Sequence, residues 1–113
     1  MDLIGQWKEI CEDTDLILSN IASDGMTDTN SNNIKEAEDE IAQILSSLPS
    51  YILQFQQKSD STKSEINDYL SKITQMRLQA ELILTIFSEL NHETSAIKMN
   101  NMISTWNLRD SLF

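Results

Sequence analysis

Apolar residues recur along this chain at alternating steps of three and four. Leu3, Trp7, Ile10, Thr14, Ile17 and Ile21 follow the spacing 4, 3, 4, 3, 4, the period that lines one face of an α-helix. Ile4, Cys11 and Leu18 broaden the stripe, while Glu9, Glu12, Asp13 and Asp15 fall mostly outside it. Thr14 is a mild polar interruption. The pattern predicts a first helix over about residues 3–22.

Residues 23–33 read SDGMTDTNSNN, a polar run with Gly25 and no periodicity. Asn, Asp, Ser and Thr side chains compete for backbone hydrogen bonds, so the run predicts a loop. Asn33 with Glu36 three residues later approximates a capping box, which would open a helix over 34–57. Glu36, Glu38, Asp39 and Glu40 then fall in the first two turns, where the macrodipole favours anions. Ile34, Ala37, Ile41, Ile44, Leu48, Tyr51 and Phe55 continue the alternating three-and-four spacing. Pro49 lies inside it, and an interior proline costs about 3 kcal/mol or more. A break at 46–48 with Pro49 opening a new helix is one outcome. The seam keeps its phase across the proline, which favours a kink or a one-residue pause over a reversal.

Residues 58–64 (KSDSTKS) contain no apolar side chain, and Thr62 with Glu65 forms a second capping box. The longest seam follows, at Ile66, Tyr69, Ile73, Met76, Ala80, Ile83, Phe87 and Leu90. Leu70, Leu78, Leu82, Leu84 and Ile86 widen it to more than one face, which predicts a central helix over 63–91 covered by several neighbours. Asn91 to Ser95 weakens the pattern, and the phase shifts to Met99, Ile103 and Trp106. A last helix over about 94–109 would leave Leu112 and Phe113 as an apolar tail.

Composition narrows the fold class. Valine is absent, glycine occurs twice and proline once, too little turn chemistry for a β or α/β fold of this length. The expectation is one all-α domain over 1–113: three to four antiparallel helices, as a bundle or an elongated coiled-coil hairpin.

Of the formal net charge of −10, −9 falls in residues 1–40, where eleven acids face Lys8 and Lys35. Such a half repels phosphate polymers and anionic bilayers, so direct nucleic-acid binding and membrane insertion are not expected. The longest apolar stretch, residues 82–87, is far below the roughly 20 needed to span a bilayer. The single cysteine, the lack of an Asn-x-Ser/Thr sequon and the lack of a basic leader suit an intracellular, cytoplasmic or nuclear location.

Little in the chain points to chemistry. Cys11 and His92 stand alone and far apart, which is no metal-ligand pattern. His92 fits a helix-terminal turn, where its imidazole can bond a free carbonyl. Glu36 and Glu40 share a helix face, but in the most solvated stretch, so a solvent face is the better reading than acid–base work. Cys11 beside Glu12 reads as a packed, inert thiol. No catalytic residue, cofactor or metal site is expected.

Binding is the remaining mode of action. Trp7 and Trp106 fill internal seams in the simpler reading and anchor a partner in the other. Candidate partner contacts are Trp7, Ile73, Met76, Ile83, Phe87, Met99, Trp106 and Phe113. The first expectation is a non-catalytic scaffold subunit of a larger intracellular complex, acting through coiled-coil contacts with other helical subunits or further copies of itself. Kinetochore or spindle, vesicle-tethering and transcription-coactivator assemblies contain subunits of this composition. The alternative is a small acidic chaperone or sequestering protein that clamps a basic amphipathic partner.

Overall fold

A computed structural model describes residues 2–57, 62–92 and 95–109. It contains α1 (Leu3–Asp24), α2 (Asp28–Gln56), α3 (Lys63–Leu90) and α4 (Ala96–Asn107), and no strand among the described residues. Each helix begins at a side-chain cap. Asp2, Thr27, Thr62 and Ser95 accept from the backbone N–H of Gly5, Asn30, Glu65 and Lys98 respectively, satisfying donors that the first turn leaves unpaired. At Thr62 the capping box read from the sequence is complete, since Glu65 Oε2 also accepts from the Thr62 N–H at 3.4 Å.

The expected loop over 23–33 is mostly helix. α1 runs on to Asp24 and α2 starts at Asp28, so Thr27 rather than Asn33 is the cap. Three residues suffice for the turn because side chains close it. Gly25 adopts φ +79°, a conformation that suits glycine, and its N–H donates to the Ile21 carbonyl. Buried Asn30 donates Nδ2–H to the Gly25 carbonyl at 2.7 Å, tying the start of α2 to the end of α1.

α2 passes through Pro49 without a reversal. Proline cannot donate to the Leu45 carbonyl, and Pro49 faces solvent, where water can take that acceptor. α3 ends one residue before the expected boundary. The break after it is real, although α4 is shorter than expected at both ends. His92 Nδ1 donates to the Ser88 carbonyl at 2.7 Å, the helix-end role its position suggested.

α1 packs on α2, α2 on α3, α3 on α4, and α4 on α1, an up-down-up-down bundle. The sequence order of contacts fixes the directions. Gln6 meets Tyr51 across α1 and α2, and Phe55 stacks on Tyr69 across α2 and α3 with ring centroids 4.2 Å apart. Lys98 pairs with Glu89 across α3 and α4, and Trp106 with Asp15 across α4 and α1. The molecule measures 51 × 24 × 18 Å with a radius of gyration of 15.9 Å, against about 13 Å for a compact chain of this length. It is a bundle drawn out along its helices.

The core follows the seams. In α1 Leu3, Trp7, Ile10, Thr14, Ile17 and Ile21 are buried, with flanking Cys11 and Leu18. α2 contributes Ile34, Ala37, Ile41, Ile44 and Leu48, and α3 contributes Ile73, Met76, Ala80, Ile83, Ile86, Phe87 and Leu90. Thr14 is tolerated because its hydroxyl donates to the Ile10 carbonyl at 2.8 Å. The widened face expected for α3 is only partly covered. Ile86 is buried, Leu70, Leu82 and Leu84 are half-buried, and Leu78 is exposed.

Candidate functional site

The proposed anchors belong to the chain's own core. Trp7 and Trp106 are both 0% exposed, and Ile73, Met76, Ile83 and Phe87 are buried with them. Met99 is half-buried against the same core, and Phe113 lies outside the described residues. Trp7 donates Nε1–H to the Gln79 Oε1 at 2.8 Å, deep between α1 and α3. The Cys11 Sγ lies 3.9 Å from the same oxygen. Burial pushes the Cys11 thiol up to about 11, against the opposing pull of Arg109, so the thiol stays protonated and inert at neutral pH. Gln79 had no signal in the sequence, since a lone Gln beside a seam looks like any surface position.

With these side chains turned inward, two adjoining grooves lie along the α1–α2 hairpin. One groove of about 250 Å³ runs between Asp13, Leu16, Ile17 and Asn20 on α1 and Asn33, Glu36, Ala37 and Glu40 on α2. A second, of about 310 Å³, lies between Gln6, Glu9, Ile10 and Asp13 and Glu40, Gln43, Ile44 and Ser47. The two share Asp13 and Glu40, so they form one trough along the hairpin. From Gln6 to Asn20 it spans about 21 Å at 1.5 Å per residue.

The trough has an apolar floor and acidic walls. Ile10, Ile17, Ala37 and Ile44 pave it, and Leu16 stands at its edge 61% exposed. Glu9 and Asp13 line the α1 side, and Glu36 and Glu40 the α2 side, each pair four residues apart. Like charges at that spacing repel by about 0.2–0.5 kcal/mol per pair. The Glu40 carboxyl is raised above its ordinary value, first by burial and then by Asp13, Glu36 and Glu9. The ion pairs among the described residues lie elsewhere, at Lys98–Glu89 and Arg109–Asp15.

Among the described residues no three His, Cys, Asp or Glu side chains converge enough to hold a metal ion. The acids are strung along a face rather than gathered at a point. No helix of the described residues is long and apolar enough to cross a membrane. No protein-family model matches the chain, nor does any curated protein or any solved structure.

Proposed function

We propose that this chain is a non-catalytic binding protein whose α1–α2 trough receives a basic, amphipathic segment of a partner protein. The observation that carries this reading is the set of four facing carboxylates, Glu9, Asp13, Glu36 and Glu40, over an apolar floor. Left alone, the arrangement opposes folding, because the carboxylates repel along each helix and across the groove. Lysine or arginine from a partner would relieve that repulsion while an apolar side chain covers Leu16 and Ile17. A helix of about 14 residues matches the trough's length. Its apolar stripe would face the floor, flanked on both sides by cations.

A scaffold subunit of a larger assembly is the second reading. The seams that were to meet partner helices are covered within the chain, so contacts with other subunits fall to the outer faces.

The test uses a synthetic amphipathic helix with lysines flanking one leucine stripe, titrated into the full chain by calorimetry. Binding is expected to weaken at least tenfold between about 20 and 200 mM salt, because exposed charges are screened over roughly 10 Å at 0.1 M. Replacing Glu9, Glu36 and Glu40 by Gln and Asp13 by Asn should abolish it. Replacing the exposed α3 acids Glu65, Asp68 and Glu81 by their amides should leave it nearly intact. Equal losses in the two variants would reduce the effect to bulk charge and remove the reading.

A further inference from the structure

The trough between α1 and α2 is not uniform along its length. The half nearest the Gly25 turn lies between Leu16, Ile17 and Asn20 on α1 and Asn33, Glu36 and Ala37 on α2. The other half lies between Gln6, Glu9 and Ile10 and Gln43, Ile44 and Ser47. Asp13 and Glu40 line both halves and mark the boundary.

The halves differ in what they can bury. Ala37 is the smallest member of the α2 seam, whose other buried apolar side chains are Ile34, Ile41, Ile44 and Leu48. Leu16 and Ile17 stand across the groove from it. Among the described residues, Leu16 is the one exposed large hydrophobic side chain that borders the trough. A lone exposed leucine is ordinary on a protein surface. One that walls a recess floored by alanine and isoleucine offers a contact to a further apolar side chain. In the other half Ile10 and Ile44 are buried, and the more accessible lining is Gln6, Glu9, Gln43 and Ser47. An apolar side chain seated there would strip water from those groups without replacing its hydrogen bonds.

The spacing then sets a register. Asp13 is three residues from Leu16 and four from Ile17, one turn along α1, and Glu9 lies a further turn on. We propose that the turnward half of the trough is a notch for one large aliphatic side chain of the partner segment, and that this anchor fixes how the segment lies. With the anchor against Leu16, a lysine or arginine one turn along sits between Asp13 and Glu40. A cation or an amide two turns along meets Glu9 and Gln43. The partner is therefore apolar toward one end and cationic and polar beyond it. This inference rests on the trough being the binding site.

The experiment uses the full chain and an alanine–lysine helix of about 14 residues, matched to the trough's length, with a single leucine near one end. Replacing that leucine by alanine should weaken binding about tenfold, as expected for losing one buried aliphatic side chain. Leu16→Ser should do nearly the same, while leaving the melting temperature unchanged because Leu16 is exposed. Gln43→Ala should alter affinity less than twofold. A nitroxide at the leucine end of the peptide should broaden the amide signals of Asn20 and Asn33 and spare those of Gln6 and Ser47. Salt-sensitive binding that ignores both the peptide leucine and Leu16→Ser would overturn the notch and leave the trough in place. Equal broadening at the two ends would do the same. No binding to the wild-type chain by the leucine peptide or by the fully striped helix would overturn both.

Discussion

At the scale of single residues, the molecule is organised by a few polar groups placed inside an apolar core. Gln79 is the clearest case. It is buried between α1 and α3, where its side-chain oxygen takes the Trp7 indole hydrogen at 2.8 Å. Among the described residues no buried side-chain polar atom lacks a partner, so removing one partner exposes the full desolvation penalty of the other. Gln79→Leu is expected to destabilise the fold by about 1–3 kcal/mol in urea unfolding, since it orphans the indole N–H. Pairing it with Trp7→Phe should recover part of that loss, because the unpaired donor goes with the indole. A double variant as unstable as the sum of the two would show that packing, not the hydrogen bond, matters at this position. Cys11 gives a second residue-scale prediction. Its pKa, raised to about 11 chiefly by burial, lies above that of an exposed thiol. The folded state therefore holds the proton more tightly between about pH 9 and 11. The thiol's contribution is complete below that window and declines as pH rises through it, by up to about 1.4 kcal/mol per pH unit. Cys11→Ala should unfold with a flatter dependence over the same range.

At the scale of helices, the seams were legible because a period of three and four leaves few alternatives; most of their residues are the core, while Tyr51, Phe55, Ile66, Tyr69, Met99 and Ile103 are half-buried. Boundaries were legible only where one side chain decides them. Thr62 and Glu65 mark the start of α3 because a capping box is local chemistry. The start of α2 was not legible. Asp28 to Asn33 are poor helix formers, yet they are helical because the Gly25 turn and the Asn30 bond position them, and packing from Ile34 onward holds them. Tertiary structure overrides propensity there. The trough was legible only in part. Glu36 and Glu40 read as one face, but nothing in a linear pattern places Glu9 and Asp13 opposite them. That pairing follows from the length of the α1–α2 turn. Pro49 offers the sharpest test at this scale. It lies in a continuous helix with its ring in solvent, so Pro49→Ala leaves no cavity and restores a backbone donor to the Leu45 carbonyl. The variant should be more stable by about 1–3 kcal/mol in denaturant unfolding, after allowing for the freer unfolded chain. A loss of stability would instead show that the proline shapes the approach of Phe55 to Tyr69.

At the scale of the whole molecule, charge is segregated rather than balanced. Nearly all of the net −10 lies in the first 40 residues, which the fold turns into two adjacent antiparallel helices. The repulsion converges on Glu40. Its carboxyl is raised by burial and then by Asp13, Glu36 and Glu9, so the folded state favours its neutral form more than the unfolded chain does. Stability from this group is therefore fully present at acidic pH and is lost as pH rises through the raised value. At neutral pH its charge opposes folding. Glu40→Gln should accordingly raise the melting temperature at pH 7. The gain should stay below about 1 kcal/mol, because the group is mostly exposed and screened by solvent. Near pH 3 wild type and variant should melt together, since the wild-type carboxyl is then neutral in both states. Salt should act on the same term. Raising it from about 20 to 300 mM shortens the screening length to a few ångströms, so the wild-type chain should gain more thermal stability than the variant. If both gain equally, the repulsion is diffuse over the hairpin rather than focused at the trough, and Glu40 is an ordinary surface acid.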